Sequence, residues 1–220
     1  MSRDAETPGG FRPATGVSRI EKPPSGPSAS SNSDLEGSSA RLTPEQIVRF
    51  VTEVNALDDV VRAGWVLAGV DRPESVGGHA LGVLAAALTV AERVEAPVDR
   101  GRLALLALLH DLPEARVGDV PMMRKRPEDE AAEHAAMEEI LTGHPSFLRD
   151  AWEEYRAQKT LEARIVKGCD KLQLMIRARA YEAEGRGDVA EFWSNERNFR
   201  DGGVTEVREV FDWLLGERRG

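Results

Sequence analysis

A chain of 220 residues is long enough for one medium-sized domain with a buried core. Its formal net charge of −9 argues against a general nucleic-acid binder, which needs a basic stripe, and its single cysteine excludes an internal disulfide. We therefore expect a reducing, cytoplasmic compartment and no nucleic acid as a partner. We also expect no membrane as a partner, because the longest apolar run, residues 103–109, is too short to cross a bilayer.

The composition predicts an all-α fold. Alanine and leucine are abundant, and the chain shows neither strand-like alternation nor an internal repeat. Residues 1–42 are rich in Ser, Gly and Pro, with large apolar side chains scattered singly. Such a segment cannot bury enough surface to offset the entropy of ordering it. We expect a disordered N-terminal tail over residues 1–42, followed by a compact helical bundle over residues 43–220.

The first helix is predicted from residue 44 to residue 62. Thr43 fits the N-cap, Pro44 the first helical position, and Gln46 can close a capping box. A glycine-rich connection is expected over residues 64–70. A second helix, over residues 73–94, places His79 on its apolar face.

The third helix starts after Asp99 as N-cap and carries the apolar run that ends at His110. Pro113 is expected to bend the chain just beyond it. A turn at residues 118–121 precedes further helices, which are predicted over residues 128–141, 146–157, 161–184 and 205–218. The last of them has an apolar stripe that serves either the core or a dimer interface, formed by Val207, Val210, Phe211 and Leu214.

His110 and Asp111 are the most informative residues, because they end a helix that is apolar on nearly every side. His79 and Asp170 also fall at or beside apolar helix faces. Singly, His79 is typical of a satisfied core histidine, and Asp170 can form a surface ion pair with its lysine neighbours. Four such groups together need a common partner when buried. Two imidazoles and two carboxylates suit a transition metal or a magnesium-like ion.

The order His79, His110-Asp111, Asp170 resembles the metal signature of the HD-domain phosphohydrolase superfamily. The stretches around these residues are similar to the HD-domain 5′-deoxynucleotidases, and the similarity extends over roughly residues 43–215. They are Arg62-Ala-Gly-Trp-Val-Leu, Arg72-Pro-Glu-Ser-Val-Gly-Gly-His79, His110-Asp-Leu-Pro-Glu114, Val117-Gly-Asp-Val, Trp152-Glu-Glu-Tyr155 and Lys167-Gly-Cys-Asp-Lys-Leu.

The resemblance implies an HD-domain bundle in which one divalent cation is held by His79, His110, Asp111 and Asp170. It implies that Glu114 is the catalytic carboxylate beside a metal-bound water, with Asp119 as a second acidic residue. It places Arg62 and Trp65 in the substrate-binding segment. The implied activity is release of phosphate from (deoxy)ribonucleoside 5′-monophosphates by a homodimer.

The chemistry of the residues agrees with that implication. A divalent metal (Mn, Co, Mg, Zn or Fe) makes hydroxide available near neutral pH and offsets charge on a phosphate oxygen. Glu114, one helical turn from Asp111, can reach the same cavity and act on the water. A cation such as Arg62 or Arg72 would stabilise the phosphate. The alternative for Arg72 is an ion pair with Glu74 or a loop contact.

Two other interpretations remain open. An HD-type di-iron oxygenase would use two more histidines between His110 and Asp170, and the chain has His134 and His144 there. His134 lies on a polar helix face and His144 in a Gly-His-Pro turn, so we expect both to face solvent. A non-catalytic nucleotide-binding protein is the other alternative, but pure binding would not need Glu114 and Asp119.

Overall fold

The computed structural model describes residues 41–219, and this part of the chain folds as a bundle of helices without a β-strand. The all-α prediction is therefore confirmed. The predicted tail lies outside the described residues except for Arg41 and Leu42. The helices are α1 (Pro44–Ala56), α2 (Ala63–Leu67), α3 (Val76–Ala91), α4 (Arg100–Leu109), α5 (Glu114–Val117), α6 (Pro127–Ile140), α7 (Ser146–Ala157), α8 (Leu161–Ala183), α9 (Ala190–Ser194), a 3₁₀ helix (Glu196–Phe199) and α10 (Thr205–Arg219).

Helix α8 is the centre of the bundle. It packs against α3, α4, α7 and α10, and apolar residues on several of its sides are buried. Thr160 caps its first turn by accepting a hydrogen bond from the amide of Ala163. Cys169 is buried here, and burial followed by the charge of Asp170 raises the pKa of its thiol to about 12. The cysteine is therefore a core residue, and α8 carries Asp170 into the interior.

Helix α4 begins after its predicted cap, Asp99, whereas α3 begins at Val76, three residues later than predicted, after Ser75 as N-cap. Ser75 Oγ accepts the amide hydrogen of Gly78, and Asp99 Oδ1 accepts that of Arg102. Apolar residues of both helices are fully buried against α8 and against each other. Burial of each large side chain stabilises the fold by about 1.5–3 kcal/mol. This packing fixes His79 on α3 and His110 at the end of α4.

Helix α1 has the predicted capping box but ends at Ala56, earlier than predicted. The reason is a contact with α3. The carbonyl oxygens of Leu57 and Val60 accept the amide hydrogens of Gly77 and Val76, at 3.0 and 2.8 Å. These carbonyls therefore complete the first turn of α3 and cannot continue α1.

Four short helices of the described chain were not predicted, namely α5, the 3₁₀ helix, α2 and α9, and the last two form around long-range contacts. Helix α2 occupies the expected connection over residues 64–70; it depends on burial of Trp65 and on Asp119, which accepts the amide hydrogen of Ala63 at 2.6 Å. Helix α9 packs Phe192 against Trp65, with ring centroids 4.3 Å apart. Both helices depend on contacts between residues far apart in sequence, which local periodicity does not show.

The apolar stripe of α10 belongs to the core. Val207, Phe211 and Leu214 are buried, and Phe211 packs edge-on against Phe199. Of the two roles predicted for this stripe, the core role is the one observed. No helix between residues 41 and 219 has both the length and the apolarity needed to cross a bilayer.

Phe211→Ala is expected to destabilise the protein by about 3–5 kcal/mol, because the ring is fully buried and its removal leaves a cavity. Trp213→Ala is the matched control on the same helix. Its ring is 55% exposed and stacks on Arg179, so the expected loss is about 1 kcal/mol or less. Urea denaturation measures both. Equal losses would contradict the described packing of α10.

Candidate metal centre

The four predicted ligands converge where α3, α4 and α8 meet. Nε2 of His79 lies 3.4 Å from Oδ1 of Asp170 and 3.7 Å from Oδ2 of Asp111. Nε2 of His110 lies 3.1 Å from the same Asp111 oxygen. One ligand atom each from His79, His110 and Asp111 lies within 4.8 Å of the others, a spacing that a single cation can bridge.

The two imidazoles present free Nε2 atoms to this point. Nδ1 of His79 faces Oε1 of Gln173 at 2.5 Å, and Nδ1 of His110 faces the carbonyl oxygen of Ala107 at 2.8 Å. Both partners only accept hydrogen bonds, so each Nδ1 carries the proton. Within residues 41–219 neither buried Nε2 has a hydrogen-bond partner. Two buried, unpartnered imidazole nitrogens beside two carboxylates fit a divalent metal.

Asp170 uses its two oxygens differently. Oδ1 points to His79, whereas Oδ2 lies 3.3 Å from Nζ of Lys171 and 3.5 Å from Nζ of Lys167. Burial opposes ionisation of Asp170, but the two lysines hold the pKa of the carboxyl well below its ordinary range. Asp170 therefore forms a buried ion pair with both lysines, where the sequence suggested a surface pair, while its other oxygen faces the candidate metal centre.

Arg62 places a guanidinium group beside Asp111. Its Nη1 donates to Oδ2 of Asp111 at 3.3 Å. Burial opposes ionisation of Asp111, but His110, His79 and Arg62 hold the pKa of the carboxyl below its ordinary range. Burial opposes the positive charge of Arg62, but the negative charges of Asp111 and Asp119 outweigh the effect of burial and raise the pKa of the guanidinium. Arg62 therefore stays a cation beside the ligands.

Glu114 differs from the other acids of the site. Its side chain is buried, and Oε2 has no hydrogen-bond partner among the residues that the structure describes. Burial, and then the charge of Asp111, raise the pKa of Glu114 well above its ordinary range, against the effect of Arg62. A buried carboxyl group with a raised pKa beside ionised acids is a candidate for proton transfer.

Asp119 has a structural contact as well as a place at the site. It follows Gly118, whose φ of 79° turns the chain after α5. Its Oδ2 accepts the amide hydrogen of Ala63, the first residue of α2, and so holds the Arg62–Trp65 segment against the cavity.

A cavity of about 630 Å³ opens over these residues. This volume lies within the ordinary range for small-molecule sites. Acids and cations share its floor, and the segment 188–198 forms one wall. Its lining includes Arg62, Trp65, Asp111, Glu114, Asp119, Lys167, Asp170, Lys171, Phe192, Asn195, Arg197 and Asn198.

Sequence reasoning missed Lys167 and Lys171 as site residues and missed the whole wall 188–198. The lysines had a signal, because they lie at positions −3 and +1 from Asp170 on one helix. The wall had none, since Phe192 reaches the cavity only by stacking on Trp65 across the fold.

Arg72 lies away from the cavity. It has a φ of 49°, its side chain is 84% exposed, and it pairs with the adjacent Asp71. Glu74 instead pairs with Arg177, at 3.2 Å. The structure therefore does not bring Arg72 to the cavity that Arg62 and Trp65 line, nor does it form the predicted ion pair with Glu74.

The two other histidines lie outside the ligand cluster. His134 is exposed, as predicted, and faces Glu153 at 3.3 Å. The prediction that His144 faces solvent is wrong, because its ring packs against Phe50 and both ring nitrogens are buried. Neither histidine lines the cavity. The di-iron oxygenase interpretation therefore lacks its extra ligands.

The fold and the centre define a helical protein with a His-His-Asp cluster that could hold a metal ion, and sequence comparison assigns its family. The HD domain family model matches residues 54–208, so the chain belongs to the HD-domain family, and the resemblance drawn from its motifs is confirmed. It is 33% identical to 5′-deoxynucleotidase HDDC2 of Homo sapiens over 158 residues, covering 69% of this chain and 74% of that protein. It is 30% identical to 5′-deoxynucleotidase YGK1 of Saccharomyces cerevisiae over 188 residues, covering 80% and 85%.

Solved structures share the same architecture. A conserved hypothetical protein from Pyrococcus furiosus superposes with a TM-score of 0.67 at 28% identity, covering 79% of this chain and 99% of that one. A protein from Pyrococcus horikoshii gives a TM-score of 0.66 at 27% identity, covering 78% and 98%.

His110→Ala is expected to abolish stoichiometric binding of Mn²⁺ or Co²⁺, because it removes one of two imidazole ligands. The loss of metal affinity should exceed the loss of about 10–100-fold that typically follows removal of a ligand's hydrogen-bond partner. His134→Ala is the matched control and should bind as the wild type does. Equilibrium dialysis with metal analysis gives both values. Unchanged binding in His110→Ala would contradict the centre.

Proposed function

We propose that this protein is a metal-dependent phosphohydrolase that releases phosphate from (deoxy)ribonucleoside 5′-monophosphates. The observation that carries the proposal is the pair of buried, unpartnered Nε2 atoms facing two carboxylates at the floor of a cavity that acids and cations line together. The names of the curated relatives, 5′-deoxynucleotidases, support the same substrate class.

One divalent cation would be held by His79, His110, Asp111 and Asp170, and Mn, Co, Mg, Zn and Fe all accept this mixture of ligands. When bound, the cation makes hydroxide available at neutral pH and offsets negative charge on the phosphate. The remaining tasks, which are to attract the phosphate, orient it and move protons, belong to side chains of the chain itself.

Three cations attract the phosphate to this place on an otherwise acidic protein. Arg62, Lys167 and Lys171 line the cavity around Asp111 and Asp170. Burial opposes the charge of Lys167, but Tyr155 and Asp170 raise the pKa of its ammonium, which donates to the Tyr155 hydroxyl at 3.1 Å. These cations orient the phosphate oxygens and stabilise charge that develops during transfer.

Glu114 moves the proton. Its Oε2 is buried at the cavity, one turn from Asp111, and has no hydrogen-bond partner in the described part of the chain. This oxygen takes the proton of the attacking water as the new phosphorus–oxygen bond forms and the bond from phosphorus to the nucleoside 5′-oxygen breaks. The same carboxyl group can then give the proton to the departing 5′-oxygen. Asp119 keeps Arg62 in place through its contact with Ala63.

The nucleoside is expected to lie along the wall 188–198. Phe192 supplies an aromatic surface beside Trp65, and the amides of Asn195 and Asn198 lie on the same wall. A homodimer and a cytoplasmic location remain predictions. The α10 stripe would not form the dimer interface, because it is buried within one chain.

Exhaustive chelation is expected to abolish phosphate release from a panel of 2′-deoxyribonucleoside and ribonucleoside 5′-monophosphates, and addition of Mn²⁺ or Co²⁺ to restore it. Malachite-green detection of phosphate measures both steps, with His134→Ala as a control that should respond identically. Turnover that survives chelation would overturn the metal requirement. A metal-loaded protein that hydrolyses no nucleotide in the panel would overturn the substrate class.

Glu114→Gln is expected to retain the metal and to lower kcat by about 10²–10⁴, because the amide keeps the shape of the side chain but cannot take up the proton. Asp111→Ala is expected to lose the metal, because one ligand is removed. Metal content and kcat are measured on both variants. If Glu114→Gln loses metal as completely as Asp111→Ala, then Glu114 is itself a ligand.

A further inference from the structure

His79 is held from behind by a buried amide. Oε1 of Gln173 accepts the Nδ1 hydrogen of His79 at 2.5 Å, while Nε2 of Gln173 donates to Oε2 of Glu74 at 3.0 Å. Since the carboxylate of Glu74 can only accept, it fixes the orientation of the Gln173 amide. The amide oxygen is therefore obliged to face the imidazole, and Nε2 of His79 is left free.

Glu74 is itself fixed by several contacts. Its Oε1 accepts from the indole nitrogen of Trp65 at 3.1 Å, and its Oε2 lies 3.2 Å from Nε of Arg177. Its amide donates to the hydroxyl of Tyr181 at 2.8 Å. Glu74 and Gln173 are only 8% and 9% exposed. A buried carboxylate with this many donors has little freedom to turn.

Gly82 provides the space that Gln173 occupies. It lies on α3, three residues after His79 and on the same side of the helix. A Cβ atom at this position would lie 2.7 Å from Cγ and 2.9 Å from Nε2 of Gln173. Any larger residue would therefore push the Gln173 side chain away from His79 and Glu74.

We propose that Gln173 and Glu74 form a positioning relay: Glu74 orients the neutral amide of Gln173, and this amide holds His79 so that its Nε2 is the metal-binding atom. Gly82 is required because it leaves room for the Gln173 side chain. The relay rests on the proposed metal centre. A neutral amide orients the imidazole and selects its tautomer, but adds less electron density than a carboxylate would. A cation bound there would therefore polarise its other ligands more strongly than if a carboxylate stood behind His79, while the imidazole still has a fixed orientation.

Two single variants break the relay by different routes. Gln173→Met keeps the length of the side chain and removes both the acceptor and the donor. Gly82→Ala leaves every relay group present but displaces Gln173. Both are expected to weaken Co²⁺ binding by about 10–100-fold. Gly216→Ala is the matched control, because a Cβ there would contact nothing within 4 Å; it should bind Co²⁺ as the wild type does.

The double variant Glu74→Gln/Gln173→Glu tests the direction of the hydrogen bonds. A carboxylate at position 173 accepts from His79, and an amide at position 74 donates to that carboxylate. The variant is expected to recover part of the Co²⁺ affinity that Gln173→Met loses, but not all of it, because the amide nitrogen at position 74 then faces the Nε donor of Arg177. Because a carboxylate then stands behind the imidazole, the visible d–d absorption of bound Co²⁺ should differ from that of the wild type.

The measurements are Co²⁺ dissociation constants by calorimetry, Co²⁺ spectra, and melting temperatures of the metal-free proteins. A lower melting temperature with an unchanged Co²⁺ constant and spectrum in both single variants would show that the groups only stabilise the fold, and would overturn the relay. Wild-type binding of Co²⁺ without phosphate release would overturn the proposed function but leave the relay standing. Failure of the wild type to bind Co²⁺ would overturn the metal centre and the relay with it.

Discussion

The structure depends on one arrangement, two imidazoles aimed at two carboxylates inside an apolar bundle. Gln173 and the Ala107 carbonyl oxygen each accept an Nδ1 hydrogen, so both Nε2 atoms face the carboxylates, and neither has a hydrogen-bond partner in the described fold. Leaving such groups buried and unpaired costs about 1–3 kcal/mol each. Burial of apolar surface where α3 and α4 pack on α8 offsets this cost, and a bound cation would remove it.

Charge balance explains how so many ionised groups share one cavity. Burial opposes ionisation of both ligand carboxyls, but His110, followed by His79 and Arg62, keeps the pKa of Asp111 low. Lys171 and Lys167 do the same for Asp170. Glu114 lies among the same charges, but burial and Asp111 outweigh Arg62 there. Three acids within one small volume therefore have different proton affinities. This difference separates groups that hold a cation from a group that handles protons.

The metal centre could be predicted from sequence because its signal is local. A histidine or aspartate at or beside an apolar helix face is visible in the periodicity, and the predicted cap Asp99 marks where α4 begins. The wall of the cavity could not, because α2 and α9 are short and exist through the Trp65–Phe192 stack and the Asp119–Ala63 contact. Arg72 illustrates the same limit, since its left-handed backbone turns it to solvent.

The wall 188–198 lies outside the packed trio of α3, α4 and α8 that holds the metal ligands. Some of its cavity-lining side chains, such as Glu191 and Arg197, are exposed, so exchanging them disturbs little of the core. Evolution, or a protein engineer, can therefore change the outline of the cavity while the ligand cluster stays intact. Variation among homologous proteins should accordingly concentrate at these exposed positions, so that the shape of the cavity and the ligand cluster at its floor can evolve separately.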